Sequence, residues 1–368
     1  MTRPDPVRPV ARLALAMALA LAAGCQPTER VRIGFLGGLS GSLADLGVGG
    51  RNGAQLAIET LAARGARYEL LVEDDRQDAD TARHAIAAFA DRGCAFVVGP
   101  MTSEMAVAAV PEADRRGLVL ISPTATTHLL SGRADHFFRT AADAPTGARQ
   151  LAELLHARGA RALAVLRDAS NRAYTASFGD AAAARFRALG GRVVAETDYE
   201  SGPAIDFSGL ARRLADAAPD AVLLVDSPGE AALVAQQLRR AAPHVQIALS
   251  PWGANVQFIQ FGGRAVDGTL ALQAVDLGSA RPPMREFARR YRERFGEEPT
   301  TPAVQSYEAV MMGTAALDRG GAGHLRETLA VAGRWPGLDA DFTLDANGDA
   351  GRPLHPALVH DGHFEALP

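Results

Sequence analysis

Hydroxyl side chains gather at two places in this 368-residue chain, each just after a short apolar run. The first is Gly99-Pro100-Met101-Thr102-Ser103, followed by an alanine-rich amphipathic stretch. Amides and hydroxyls that open a helix suit a carboxylate. Thr102 or Ser103 would also serve as a plain helix cap, and the two uses are compatible. The second is Ser122-Pro123-Thr124-Ala125-Thr126-Thr127, a dense set of hydroxyls after another strand-like run. A third loop, from Gly37 to Gly47, is glycine-rich and precedes a helix. It lacks a G-x-G-x-x-G fingerprint and an acid-tipped strand to hold a ribose, so it reads as a tight ligand-facing turn and not as a dinucleotide site.

Other constellations are weaker. No H-E-x-x-H, C-x-x-C or G-x-S-x-G occurs. His355, His360 and His363 lie close enough in sequence for a metal site, but a solvated terminal hairpin is the expected reading. Asp345-Ala346-Asn347-Gly348-Asp349 begins like a calcium loop. Its twelfth position would be Pro356, where a bidentate Glu is needed, so a turn is expected. Glu73-Asp74-Asp75 offers paired acids, expected at a strand end facing solvent or a cleft rim. Cys94 opens an apolar run and reads as a small buried residue.

Composition removes whole classes. All 38 basic residues are arginine, so no Walker A lysine and no Schiff base is possible. The formal charge of −4 is dispersed, with no basic stripe for nucleic acid. Neither a cofactor nor a resident metal is implied.

The elements that must position these loops alternate. Strands are expected at 31–36, 68–73, 96–99 and 118–121, with helices at 49–64, 80–92 and 103–116 between them. The pattern restarts after Arg139-Thr140. Helices at 147–158, 173–189, 207–217 and 230–241 then alternate with strands at 162–166, 192–197, 221–225 and 246–249. A strand at 268–274, helices at 284–295 and 302–317, and a hairpin about Asn347-Gly348 complete the chain. Repeated strand–helix–strand units demand parallel sheets with helices on both faces, and ligands bind at the carboxyl edges of such sheets.

The start is not fold. Arg3, Arg8 and Arg12 precede an apolar run at 13–23, too short to span a bilayer, so residues 1–24 read as a cleaved export signal. Leu21-Ala22-Ala23-Gly24-Cys25 resembles a bacterial lipobox, with Ala22 where a Leu usually stands. It implies lipidation of Cys25, a tether over 25–30, and a chain held at the membrane on the periplasmic or outer cell surface. Cutting by ordinary signal peptidase is the alternative.

Val31-Arg32-Ile33-Gly34, Leu39-Ser40-Gly41, Arg51-Asn52-Gly53-Ala54, Glu73-Asp74-Asp75, Val98-Gly99-Pro100, the Ser122 to Thr126 run and Phe138-Arg139-Thr140 together resemble the leucine/isoleucine/valine-binding protein family. Asp206-Phe207-Ser208, Pro219-Asp220-Ala221-Val222 and Asp345 to Asp349 continue the likeness. The resemblance implies a type I periplasmic binding protein fold: two Rossmann-like α/β lobes with parallel-sheet cores, joined by a three-crossing hinge. The expected lobes are 31–142 plus about 272–336, and 143–271 plus about 337–368.

It implies roles as well. Ser103 matches the serine that binds the ligand's α-carboxylate. Thr124 and the adjoining Ala125 line that end, and Thr126 matches a threonine that binds the amino-acid head. Tyr174 matches the second-lobe tyrosine that closes over the ligand. Leu46 and Ser227 fall on positions that are often aromatic. Trp252 stands where amino-acid binders carry the glutamate that pairs with the ammonium, and Asp226 is the nearest acid that could replace it. The expected function is therefore an extracytoplasmic solute-binding protein of an ABC importer. It would be a monomer that catalyses nothing and delivers a small carboxylate-bearing, apolar or aromatic ligand to separate permease and ATPase chains. The alternative is a ligand-sensing or envelope-enzyme-regulating lipoprotein of the same fold.

Overall fold

The computed structural model describes residues 30–41, 43–202, 204–331 and 333–367. The expected export signal, Cys25 anchor and most of the tether lie outside them. In the first lobe β1 (Val31–Gly37), α1 (Ala44–Ala62), β2 (Tyr68–Asp74), α2 (Ala79–Asp91), β3 (Cys94–Val98), α3 (Ser103–Arg116), β4 (Val119–Ser122) and β5 (Phe137–Arg139) follow in order. The strands form a wholly parallel sheet ordered β2-β1-β3-β4-β5. Phe96, Val97 and Val98 on the central β3 are buried, as a strand covered on both faces requires.

The second lobe comprises α4 (Ala144–Ala157), β6 (Ala162–Asp168), α5 (Arg172–Ala188), β7 (Arg192–Tyr199), α6 (Phe207–Asp216), β8 (Ala221–Val225), α7 (Pro228–Ala241), β9 (Gln246–Leu249), α8 (Val256–Gly262) and β10 (Leu270–Gln273). The chain returns to the first lobe through α9 (Pro282–Phe295), α10 (Thr301–Gly320), α11 (Leu325–Ala330) and a small antiparallel sheet of β11 (Gly333–Trp335), β12 (Phe342–Leu344) and β13 (Ala350–Gly351). It ends in the second lobe with β14 (His355–His360) and β15 (His363–Ala366). The second sheet is ordered β15-β14-β10-β9-β8-β6-β7, antiparallel only at its β14 and β15 edge.

Three differences from the sequence reading have physical causes. The α1 helix starts at Ala44 rather than at 49 and runs through Gly47, Gly49, Gly50 and Gly53. Glycine disfavours a helix, but here it lets α10 approach closely. A Cβ built at Gly53 would lie 2.0 Å from the Ala303 carbonyl oxygen. The strand β5 carries too little local pattern to announce itself and is recruited by β4, whereas the terminal hairpin expected around His355, His360 and His363 forms as β14–β15. The third crossing also comes later than residue 337. Trp335, Phe342 and Leu344 are buried in the first-lobe core, so 337–351 belongs with that lobe.

The three crossings converge on one buried ion network. Arg352, on the third, pairs with Glu308 and Asp339 and reaches the Thr140 carbonyl on the first at 3.4 Å. The Asp276 amide, on the second, donates to Asp339 at 2.9 Å, and His355 Nε2 lies 3.2 Å from the same carboxylate. Burial pushes the Asp339 carboxyl up. The His355 contact and the Arg352 charge outweigh this and hold it at about 2.

Candidate functional site

The loops after β3 and β4 lock together into one cradle at the carboxyl edge of the first sheet. The Ser122 hydroxyl donates to the Pro100 carbonyl at 2.7 Å and receives the Ala125 amide at 3.0 Å. The Thr124 hydroxyl donates to the Met101 carbonyl. The Thr126 and Thr127 amides donate to Ser103 Oγ at 3.1 and 3.2 Å. With both its lone pairs engaged, Ser103 keeps its proton to give to an anion. Thr124 and Ala125 thus shape the cradle, while the half-buried Thr126 hydroxyl is engaged by none of the described residues. Arg139 holds the cradle from behind. It is fully buried, donates to the Thr127 carbonyl at 3.0 Å and pairs with Asp349 at 2.6 Å. Asp349 therefore serves this ion pair. Asp345 Oδ1 accepts the Asn347 and Asp349 amides, as a turn and not a calcium loop requires.

The second lobe supplies the opposite wall. Tyr174 sits in the first turn of α5, and Trp252 follows β9. Their rings meet edge-on, 5.8 Å between centroids. Burial pushes the Tyr174 phenol up, so it stays a neutral donor. Ser227 stands at the N-terminal boundary of α7, makes no capping bond with its side chain and is buried. Leu46 is half-buried against the first-lobe core, and its neighbour Asp45 accepts a hydrogen bond from Gln257 on α8.

Asp226 is committed within its own lobe. It is fully buried and accepts the Ser227 amide at 2.7 Å. The Tyr199 O–H lies 2.6 Å from it and 2.9 Å from Glu230. One phenolic proton cannot serve both contacts, so this group of acids carries a further proton. Burial, foremost, drives the Asp226 carboxyl well up, and nearby Asp168 and Glu230 add to the rise. Already bonded to Tyr199 and the Ser227 amide, it is a poor ammonium partner. Asp168, Asp226 and Glu230 are also the one metal-spaced group among the described residues. Their oxygens are taken by Tyr199, Ser201, Ser170 and Ser227. The three terminal histidines do not converge: His355 faces Asp339, and His360 lies 3.6 Å from Asp361. Burial pushes the Cys94 thiol up to about 11, so it is unreactive.

Contacts that close the lobes on each other were not legible in the sequence. The Ala173 amide donates to Glu104 at 2.9 Å, and the Glu104 amide to Asn171 at 3.3 Å. The His128 amide donates to Ser177 Oγ at 3.2 Å, with the Thr127 hydroxyl 3.0 Å from the same atom. These residues are ordinary polar helix and loop positions, and only the facing lobe gives them partners.

Asp75 departs from expectation. It faces neither solvent nor an open rim but is fully buried, accepting the Gln77 amide at 2.9 Å and its side-chain amide at 3.1 Å. Gln77 in turn accepts the Thr102 hydroxyl at 3.3 Å, beside Ser103. Burial raises the Asp75 carboxyl from 3.8 to about 6. The folded state therefore favours its protonated form. The stability this gives is full below about pH 4 and is lost as pH rises through about 6, a change of about 3 kcal/mol. Asp75→Asn keeps the acceptor and removes the charge, so it is expected to flatten the stability profile in that window. Urea unfolding at a series of pH values checks this, and an unaltered slope would remove Asp75 as its source.

The fold is that of a two-lobed α/β protein, with the Ser103–Thr127 cradle on one lobe and the Tyr174–Trp252 turn on the other. The family model for periplasmic binding proteins matches residues 30–361, and the chain belongs to that family of solute-binding proteins. Over 308 residues it is 26% identical to the Leu/Ile/Val-binding protein BraC3 of Rhizobium johnstonii, covering 82% of this chain and 83% of that one. The solved leucine-binding protein LivK of Thermotoga maritima matches with a TM-score of 0.84 at 24% identity, over 92% of this chain and 98% of that one. A Rhodopseudomonas palustris solute-binding protein in complex with 3,4-dihydroxybenzoic acid matches with a TM-score of 0.81 at 20% identity, over 91% and 95%. Among the described residues no helix is long and apolar enough to cross a membrane.

Proposed function

We propose that this chain is the extracytoplasmic solute-binding component of an ABC importer and captures small monocarboxylates with an apolar or aromatic body. The observation that carries this is the pairing of an intact carboxylate cradle with an opposite wall made of Trp252 and Tyr174. Ser103, Thr126 and the start of α3 take the carboxylate. A buried ammonium needs an anion beside it, and Trp252 occupies the position that would supply one while Asp226 is spent on Tyr199 and Ser227. The edge-on ring pair offers instead a flat apolar face. The carboxylate is shared by leucine and by the dihydroxybenzoic acid of the Rhodopseudomonas neighbour, which fits a site that keeps one half of an amino-acid pocket and changes the other. Lipidation at Cys25 would hold the monomer at the membrane beside separate permease and ATPase chains.

Thermal shift followed by calorimetry on the mature chain tests this. Benzoate-type acids at a hundred times their Kd are expected to add about 2.7 kcal/mol of stability, with leucine weaker. Ser103→Ala is expected to weaken every carboxylate by about 10- to 100-fold. Tight leucine binding that survives Trp252→Ala but not Asp226→Ala would sink the proposal and make Asp226 the ammonium partner. A flat response to all carboxylates would favour a regulatory lipoprotein over transport.

A further inference from the structure

The two helices that meet across the cleft are each capped from the other lobe. The first turn of a helix leaves backbone N–H groups without partners inside it, and a Thr or Asn at the boundary ordinarily takes one of them. Thr102 precedes α3 and Asn171 precedes α5, yet neither side chain caps its own helix. The Thr102 hydroxyl is given to Gln77 at 3.3 Å. Asn171 is buried, and its Oδ1 accepts the Glu104 amide in the first turn of α3 at 3.3 Å. In exchange the Glu104 carboxylate accepts the Ala173 amide in the first turn of α5 at 2.9 Å. Within one helix a reciprocal pair of this kind makes a capping box. Here it is divided between two lobes. Negative charge is favoured at the start of a helix, so Glu104 suits the start of α5 better than a neutral side chain would.

The exchange adjoins the carboxylate position. Glu104 follows Ser103 in the chain. Ser103 Oγ holds the Thr127 amide, and the Thr127 hydroxyl lies 3.0 Å from Ser177 in the second turn of α5. The stretch from Asn171 to Ser177 thus touches the first lobe on either side of Tyr174. Both bonds of the exchange join one lobe to the other, so a hinge motion that parts the lobes breaks both and leaves the two helix starts to water. We infer that Glu104 and Asn171 are the positioning residues that hold the cleft shut: their exchange of caps is made on closure and sets how long a carboxylate on Ser103 stays bound. This rests on the carboxylate reading of the cleft given above. A contact made only in the closed form has no part in the encounter of solute with the open cleft. It therefore acts on release and not on capture.

Stopped-flow capture and release of benzoate by the full mature chain test this. Asn171→Ala is expected to release benzoate about tenfold faster than the wild type, the worth of one buried hydrogen bond. Glu104→Ala is expected to release it about 10- to 100-fold faster, because the lost acceptor is charged. Association rates are expected to stay within about twofold. Glu104→Gln keeps an acceptor for the Ala173 amide and is expected to recover most of the loss. Urea unfolding of the ligand-free variants is expected to match the wild type, since the open protein makes neither bond. Release within about twofold of the wild type in both alanine variants overturns the proposal and leaves the carboxylate reading standing. So does a fall in ligand-free stability as large as the loss of affinity, which would make the two bonds ordinary caps of the resting fold. If the wild type binds no benzoate, the proposal falls together with the reading it rests on.

Discussion

Arg352→Met is expected to lower the unfolding free energy by about 3–5 kcal/mol, the cost of stranding buried charge. The guanidinium is fully buried between Glu308, Asp339 and the Thr140 carbonyl. Methionine fills much of its volume and meets none of its partners. Glu308 would keep only the Leu338 amide, at 2.6 Å, and Asp339 the Asp276 amide and His355. Burial already pushes the Glu308 carboxyl up, with the Arg352 charge opposing it. Removing that charge leaves burial unopposed, so the variant should regain stability as pH falls and the acids take up protons. The wild type should behave in the opposite way for Asp339, whose carboxyl is held at about 2. That contribution is present above about pH 4 and lost only as pH falls towards 2. Denaturant unfolding at neutral and mildly acidic pH measures both effects. A loss below about 1 kcal/mol would place this network with exposed ion pairs, which contribute little. Because the network touches all three crossings, the same variant is expected to loosen the hinge and weaken ligand binding.

Gly53→Ala should reverse the usual sign of its substitution. Alanine in a helix interior normally stabilises by about 1 kcal/mol over glycine. Here the added Cβ would lie 2.0 Å from the Ala303 carbonyl oxygen and 2.7 Å from its Cα, so α10 must move. Backbone cannot swing aside as a side-chain tip can. Overpacking of this kind costs about 1–3 kcal/mol or more, enough to leave the variant less stable by about 2 kcal/mol after the propensity gain. Gly229→Ala is the control. It also lies in a helix, yet its Cβ would meet only the Phe261 ring at 3.5 Å, an ordinary contact. It is expected to be neutral or to stabilise by up to about 1 kcal/mol. If both variants behave alike, the close approach of α1 and α10 is not what these glycines serve.

Much of the frame is legible in local pattern. The runs around Phe96, Leu163 and Leu223 are apolar, short and separated by amphipathic stretches, and each became a buried parallel strand. The Ser103 and Ser122–Thr127 loops declared themselves because hydroxyls and turn residues after a strand have few other uses. What misled was sequence taken apart from its partners. The glycines at 47, 49 and 50 hid the true start of the helix at Ala44, which α10 packing on them makes possible. Glu73-Asp74-Asp75 is uniformly acidic in sequence, yet Asp74 receives the Leu39 amide and Ser40 hydroxyl while Asp75 is buried against Gln77.

Strand–helix alternation and the spacing of hydroxyl loops determine a two-lobed α/β frame with a cradle of hydroxyls and amides at one sheet edge, because those signals depend on near neighbours in the chain. The composition, which holds no lysine, also excludes lysine chemistry outright. Which acids are available was settled only by folding. Asp226 and Trp252 are 26 residues apart in sequence and sit on one wall, but Tyr199 claims the carboxylate and Tyr174 claims the ring. Burial, proton sharing and the meeting of two lobes are properties of contacts between distant segments. No local pattern carries them, and they decide what the cleft will accept.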